Sequence, residues 1–480
     1  MSLTNPAASP RAPLGDQDVA ALAARVGGVV RVPGQPGYDD ECAPFNLAVP
    51  HRPAVVIGAA STADVQAAVQ FAAEQALPVA VLATGHQAGR SADGAVLITT
   101  RRMASVQIDP SARTATVGAG VRWQQVVDAA AAHGLAPLAG SSPLVGVVGY
   151  TLGGGLSPMM GRAHGWAADA LRQLEVVTPD GAVHELGPHA TGAEAELYWA
   201  LPGAKSNLGV VTAMTFELFA VTRLYAGGLF FAGSDVEPVL RAYAELTAAA
   251  PDELTSSLAL LRMPPVPFVP EFLRGSFVVH VRLSYLGDPA DGAALLAGLR
   301  ATAPLLADTV ADIPFTEFAG IHADPSTPAP FVERSGLLRP LTPAAVDVLL
   351  DWAGDGSDCP VEMLQLRHMG GALARGRVEA NAAARRGATF VLDALAIGTP
   401  ESAASAVPWT DALLDALTPW TVGGKNLNFL GPSDVDPHAV AAAYDPQTFA
   451  RLRRLKAALD PSNTFRINHN IPPAPEETDQ

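Results

Sequence analysis

The chain has 480 residues, 49% of them hydrophobic and 16% charged, which supplies a large core and excludes disorder for most of its length. A formal net charge of −16 argues against nucleic acid or an anionic membrane as partner. Cys42 and Cys359 are too few and too far apart for a disulfide framework or a thiolate metal site.

No charged and then apolar leader opens the sequence, no twin-arginine motif is visible, and no window reaches about 18 apolar residues free of charge. A cytoplasmic protein is the expectation. Residues 1–16, with Pro6, Pro10 and Pro13, read as a flexible arm. Residues 18–26 read as a short amphipathic helix, and Pro33-Gly34-Gln35-Pro36-Gly37 as a turn into a loop carrying Tyr38-Asp39-Asp40 and Phe45-Asn46. Residues 54–57 form a strand, and Ser61-Thr62-Ala63-Asp64 opens a helix that runs to about Glu74 with a hydroxyl cap and an early acid.

The next stretch, Leu82-Ala83-Thr84-Gly85-His86-Gln87-Ala88-Gly89-Arg90-Ser91, joins apolar strands at 78–81 and 94–99. Its small residues expose consecutive backbone N–H dipoles, which can wrap a pyrophosphate without a lysine. Taken alone, the stretch reads equally as a tight turn with a surface histidine. Strands follow at 106–108 and 114–117, then a helix at 123–133 ended by Gly134. Residues 140–155 (Gly140-Ser141-Ser142-Pro143 through Val145-Gly146-Val147-Val148-Gly149-Tyr150 to Gly153-Gly154-Gly155) are too apolar for a linker. Such glycine density, costly inside a helix, points to close backbone packing on something flat or phosphorylated, or to a glycine-rich core crossing. Residues 171–178 with Pro179-Asp180-Gly181 read as a strand and hairpin turn, and 197–203 as a helix-like piece entering a strand at 207–212.

From about residue 221 alternating apolar runs (228–231, 277–283) mix with Ala/Leu-rich helices (236–249, 290–302), and Pro-rich loops lie at 264–270 and 325–330. Without βαβ alternation this predicts an α+β unit whose antiparallel sheet is covered on one face. In the strand 361–367, Leu364 and Leu366 share one face and Met363, Gln365 and Arg367 the other. A basic helix at 449–459 precedes Asp460-Pro461-Ser462-Asn463-Thr464-Phe465-Arg466 and a tail with Asn468 and Asn470.

Four segments in this order resemble the berberine-bridge-enzyme-like branch of the FAD-linked oxidases, which have the vanillyl-alcohol-oxidase/PCMH fold: Ala83-Thr84-Gly85-His86-Gln87; Val145-Gly146-Val147-Val148-Gly149 through Gly153-Gly154-Gly155 and Gly165-Trp166-Ala167-Ala168-Asp169; Tyr198-Trp199-Ala200-Leu201 through Asn207-Leu208-Gly209-Val210-Val211-Thr212; and Asn428-Phe429-Leu430-Gly431 with the tail to Arg466. The resemblance implies an α+β protein in which a two-part PCMH-type FAD-binding domain (17–220, completed by 421–480) flanks a substrate domain (221–420). The isoalloxazine would lie at their junction. His86 matches the family's covalent flavin ligand, since a neutral imidazole can attack the 8α-carbon; the alternative is a satisfied loop histidine. Cofactor contacts are implied for Ala83, Thr84, Gly85, Gln87, Ala88, Gly140, Ser141, Ser142, Val145, Gly146, Gly149, Tyr150, Gly154, Gly209, Val210, Val211, Asn468 and Asn470.

Departures from the family pattern shape the expected chemistry. Ser142 stands where many members have a second, cysteine link, so one covalent bond is expected. Leu82 replaces an arginine, and Pro202-Gly203-Ala204 replaces Arg-Gly-Gly. Val145 aligns with the position that gates oxygen, which suits O2 as acceptor with H2O2 as product. Phe429 stands where relatives place a tyrosine base, so another group must take the substrate proton. Tyr150 is a candidate base or a packed aromatic; Gln365 and Arg367 could orient substrate, and Arg367 could also steady the reduced flavin. His368 has the opposite strand parity and reads as structural, while Asn428 could bind substrate or cap a turn. The expected activity is oxidation of a small-molecule alcohol, sugar or polycyclic secondary metabolite by a monomer or homodimer. A flavin dehydrogenase, an oxygenating flavoenzyme and a non-catalytic flavin-binding protein are the rival readings.

Overall fold

The computed structural model describes residues 14–475 apart from 268, 270, 376–380, 384–386 and 399–401. The expected N-terminal arm falls mostly outside the described residues; a helix already begins at Asp16. A four-stranded sheet comes first, built from Val29–Arg31 (β1), Val55–Gly58 (β2), Val79–Leu82 (β3) and Val96–Thr99 (β4) in the order β1-β2-β4-β3. β2 and β3 run parallel to β4, and β2 and β4 are buried along their whole length, as continuous apolar runs require. The helix Thr62–Glu74 crosses between them. Ser61 Oγ caps it at 3.3 Å from Asp64 N, while the Asp64 carboxylate accepts N–H groups from Gly27, Gly28 and Ala60.

The second sheet is antiparallel: Val106–Asp109 (β5), Thr114–Gly118 (β6), Leu171–Val177 (β7), Val183–Leu186 (β8) and Val210–Glu217 (β9), ordered β5-β6-β9-β7-β8. Trp123, Val126 and Val127 of the helix Trp123–Ala131 pack with Val176, Met214 and Phe216 of this sheet in a core shared with the first. The helix Gly192–Ala204 kinks at Pro202 and Gly203, because a proline within a helix removes a donor and clashes with the preceding turn.

The third sheet holds Arg223–Ala232 (β10), Leu254–Arg262 (β11), Phe277–Tyr285 (β12), Leu305–Asp308 (β13), Ala311–Pro314 (β14), Phe331–Leu338 (β15), Met363–His368 (β16) and Phe390–Ile397 (β17). Its order is β13-β10-β12-β11-β16-β17-β15, with β14 pairing further along β10, and the pairs are antiparallel. One face carries Phe231, Val279, Val281, Leu258, Leu260, Leu364, Leu366 and Leu392, packed under the helices Val236–Ala249, Pro343–Ala353 and Ala406–Ala416. Register puts His280, Arg282, Ser257, Gln365, Arg367, Asp393, Glu333 and Ser335 on the other. The α+β expectation, with helices on one face of an antiparallel sheet, holds. No helix among the described residues is long and apolar enough to cross a membrane.

The C-terminal helix Pro446–Leu459 ends at a buried polar knot. Lys456 Nζ, fully buried, donates to Asp460 Oδ2 at 2.5 Å, Asn207 O at 2.7 Å and Phe465 O at 3.2 Å. Val79 N donates to Thr464 O at 2.9 Å, and the Asn207 side chain joins His469 O and Ile471 N. The tail thus lies against β3 and the approach to β9. Replacing Lys456 with alanine strands a buried carboxylate, so Lys456→Ala should cost about 3–5 kcal/mol. Urea unfolding followed by tryptophan fluorescence measures it; a midpoint unchanged from wild type would show that the knot is dispensable.

Candidate active site

His86 sits in the turn between β3 and β4, and its ring stacks on Phe45 with centroids 3.9 Å apart at 11°. Nδ1 lies 2.9 Å from Thr84 Oγ1, while Nε2 is buried with no partner. Burial, reinforced by the charge of Arg122 and opposed by Asp324, lowers its pKa to about 4, so the imidazole is neutral. Gly85 makes the turn possible. Its φ is +74°, and a Cβ there would meet Pro44 at 2.6 Å. Among the described residues, no backbone N–H from Ala83 through Ser91 donates a hydrogen bond.

The second glycine-rich stretch packs beside this loop. A Cβ on Gly146 would touch Ala83 and Thr84 at 3.5–3.6 Å, whereas one on Gly149 would meet nothing within 4 Å. The segment is a short helix, Val147–Leu152, entered from Gly146, which the glycine content had hidden. Its glycines serve close backbone packing, as expected. Ala83, Thr84, Pro143 and Leu144 line a cleft of about 340 Å³ together with Arg101 and Arg122. Ser142 is buried, and its Oγ accepts from Leu144 N at 3.3 Å. Gly140 and Gly155 bracket the Tyr150 ring, and Val145 lies half-buried beside it. The Tyr150 hydroxyl is buried with no partner. Burial raises it far above the ordinary value of 10, and the charge of Arg367 opposes this only weakly. A phenol so placed keeps its proton, so the base expected at Tyr150 has to be sought elsewhere.

Three chain segments meet behind His86. Gln87 Nε2 donates to Leu427 O at 2.9 Å and Leu430 O at 3.0 Å, and Lys205 Nζ donates to Gln87 Oε1 and to Leu427 O. Lys205 occupies a backbone conformation (φ 50°, ψ −126°) that L-residues rarely adopt, at a cost of about 1–3 kcal/mol. Burial lowers its ammonium to about 7, against the opposing charge of Glu333. Sequence reasoning passed over Lys205; a lysine within a glycine-rich turn was the available signal. Asn428 Nδ2 donates to Tyr150 O at 2.8 Å, which ties this segment to the glycine stretch rather than leaving the amide open.

Facing these loops is the polar side of the third sheet. Gln365 Nε2 donates to Asp393 Oδ2 at 2.6 Å, and its Oε1 accepts from Arg282 Nη1 at 3.3 Å, so both ends of the amide are engaged. Asp393 Oδ1 is buried without a partner. Burial and mutual repulsion raise Glu333 well above the carboxylate range; burial raises Asp393 too, against Gln365 and Arg367. The two carboxyls therefore titrate as a coupled pair above their ordinary range. The Arg367 guanidinium lies 5.3 Å from the Phe429 ring centroid, and Ser335 Oγ donates to Phe429 O at 2.7 Å. His368 faces the other way, stacked on Phe390 and 3.1 Å from Arg162 Nη1, as its parity implied. Gly209, Val210 and Val211 enter β9, where the two valine side chains are buried in the core. Asp393, Glu333, Arg282, His280 and His322 were missed because they lie far apart along the chain, and only the paired strands and the helix Ala319–His322 gather them.

These residues fit a flavin dinucleotide. The unsatisfied N–H run suits phosphate and ribityl oxygens, and the clear side of Gly149 suits a flat ring. Asn468 Oδ1, Asn470 Oδ1 and Thr151 Oγ1 are further buried polar atoms without partners, as a polar ligand would require.

Comparison with known proteins bears on the same residues. Residues 53–187 match the FAD binding domain family and residues 428–472 the berberine and berberine like family. The chain is 27% identical over 465 residues to (R)-6-hydroxynicotine oxidase from Paenarthrobacter nicotinovorans, covering 93% of this chain and 97% of that protein. An FAD-linked oxidoreductase from Bacillus subtilis is 25% identical over 448 residues, 91% of this chain and 95% of its own. Among solved structures, 6-hydroxy-D-nicotine oxidase from Arthrobacter nicotinovorans superposes with a TM-score of 0.79 at 25% identity, over 94% and 98% of the two chains. The fold is also that of xylooligosaccharide oxidase from Myceliophthora thermophila (TM-score 0.82, 22% identity, 95% and 100% covered).

With Lys205 at about 7 in the folded protein and about 10.4 unfolded, the unfolded chain binds the additional proton between those values. Stability therefore rises with pH across that window and is flat below it. Lys205→Met removes the dependence. From pH 7 to 9 the wild type should gain on the variant by about 1.4 kcal/mol per pH unit, read from denaturant unfolding at each pH. Parallel stability profiles would show that this amine does not titrate there.

Proposed function

The chain belongs to the berberine-bridge-enzyme-like FAD-linked oxidoreductases, and from that premise we propose that it is an oxidase of a small-molecule alcohol, sugar or polycyclic secondary metabolite, with FAD held covalently by His86. FAD held there would supply the acceptor, at N5, for the hydride of the substrate carbon, with O2 as final oxidant and hydrogen peroxide as its product. The observation that carries this reading is the neutral, half-buried His86 with its buried Nε2 unpartnered, set in a loop whose backbone N–H groups have no partner among the described residues. Neutrality matters, because a protonated imidazole has no lone pair to form the bond. With Ser142 in place of a thiol, a single link is expected. Val145, half-buried on the same stretch, leaves room for oxygen.

The substrate O–H proton needs an acceptor on this chain. Phe429 has none to offer and Tyr150 keeps its own proton, so we assign the task to Asp393. Its Oδ1 receives no donor among the described residues, Gln365 fixes Oδ2, and Glu333 is within hydrogen-bonding reach of the carboxylate. Glu333, raised well above the carboxylate range, keeps its proton and leaves Asp393 as the ionised acceptor. Gln365 orients the carboxylate rather than the substrate. Arg367, over Phe429, keeps a positive charge beside the reacting region as negative charge develops.

Acid precipitation of the purified protein should leave the yellow colour in the pellet, and His86→Ala should release it to the supernatant. Colour released from the wild type would rule out the covalent bond. One peroxide should form for each substrate oxidised; slow reoxidation in air would count against an oxidase. Asp393→Asn should lower kcat about 10²–10⁴-fold. Because the base must be ionised, kcat/KM of the wild type should rise with pH through the raised pKa of the carboxyl pair and then level off. A profile that falls over that range would exclude the assignment.

A further inference from the structure

Arginines on or beside the third sheet fall into two kinds. Arg162 is only 4% exposed, and its guanidinium is saturated: Nε donates to Leu254 O, Nη1 to Met369 O, and Nη2 to Ala250 O and Pro251 O. It is a fastener. Arg282 is equally buried at 4%, yet it donates only to His280 Nδ1 at 3.1 Å and Gln365 Oε1 at 3.3 Å, both neutral. Arg367 makes no hydrogen bond among the described residues; its Nε is buried and its one contact is the Phe429 ring. Neither forms an ion pair with a described carboxylate, whereas Arg334 on the same sheet pairs with both Asp411 and Asp434. Register sets Arg282 and Arg367 on one face, flanking Ser257 from the strands on either side of β11.

Histidines complete the patch. His322, on the short helix Ala319–His322, is buried with both ring nitrogens unpartnered, and His280 Nε2 has no partner either. The charges of Arg282, Arg367 and His280 all act on His322, which places the four groups together. A buried guanidinium without an ion partner is strongly unfavourable, so the buried Arg282, with the half-buried Arg367 on the same face, is complete only when an anion arrives. The facing carboxyls do not supply it. Glu333 and Asp393 are both raised as a coupled pair, and Asp324, whose charge acts on Arg282, forms no ion pair with it among the described residues.

We propose that this patch is a subsite for a carboxylate on the substrate, so that the oxidase takes a carboxylate-bearing alcohol with its acid end on Arg282 and Arg367. This deepens the function proposed above and rests on it. A planar carboxylate matches the guanidinium fork, and neutral His280 and His322 can each donate one further N–H. The Phe230 ring stacks on His280 at 3.9 Å and Phe429 lies under Arg367, so apolar ring surface flanks both cations and favours an aromatic or alicyclic body on the acid.

Benzoate and its neutral isostere benzamide test the subsite. Calorimetry on the purified flavin-bound protein should show benzoate binding at least tenfold tighter than benzamide, and benzoate should shift the flavin's visible band. Arg282→Gln should abolish the preference, and Arg282→Lys should keep part of it, while flavin content and the unliganded spectrum stay unchanged. Equal binding of the two probes, or no binding by either, overturns the subsite. Should Arg282→Gln misfold, Arg367→Gln and the wild-type comparison still decide. A protein that holds no flavin but still prefers benzoate would instead overturn the proposed oxidase while leaving the subsite standing.

Discussion

A turn whose backbone cannot satisfy itself has to be held open by something else. Among the described residues the half-buried N–H groups from Ala83 to Ser91 find no partner. Three contacts hold the turn in place. Phe45 stacks on His86, Pro44 fills the space over Gly85, and Gln87 reaches two carbonyls of the segment 427–430. Lys205 braces Gln87 from behind at the cost of an unfavourable backbone conformation. Strain stored beside such a turn is consistent with a site shaped for a ligand rather than for its own stability.

The same contacts join the two halves of the molecule. Asn46, next to Phe45, exchanges two hydrogen bonds with the backbone of Phe331 at the start of β15. Ser335 on that strand donates to Phe429 O, and Phe429 belongs to the segment that Gln87 grips. The polar face of the third sheet is thereby fixed opposite the histidine turn. Helices occupy the apolar face and cannot cover the polar one, so period-two alternation alone decides that Gln365, Arg367 and Asp393 turn toward the junction.

Local patterns made most of the scaffold legible. The helix at 236–249, the alternation of 363–367, the capped helix after Ser61 and the turn around His86 follow from short-range periodicity, caps and glycine. The glycine-rich stretch was harder, because Val147–Leu152 is a helix only through its packing on the first core and not by propensity. The substrate face was the least legible part. Arg282, His322, Glu333 and Asp393 are separated by many residues, and nothing short-range distinguishes Arg282 from Arg162. One is saturated by carbonyls and the other is not, a difference that exists only once β11, β12 and β16 are paired.

Phe429 ties these strands of argument together through charge. A tyrosine at that position could lose its proton beside a guanidinium and neutralise it; a phenylalanine cannot. Arg367 keeps its cation against the Phe429 ring, a contact that is worth about 0.5–2 kcal/mol and leaves the charge uncompensated. Without a phenol there, the proposed proton acceptor is a carboxylate, Asp393 beside Glu333, which Gln365 engages by hydrogen bond and Arg367 influences through its charge. A tyrosinate paired with Arg367 would merge base and cation in one contact; with Phe429 the proposed base lies on the sheet, and neither Arg282 nor Arg367 has an ion partner among the described residues.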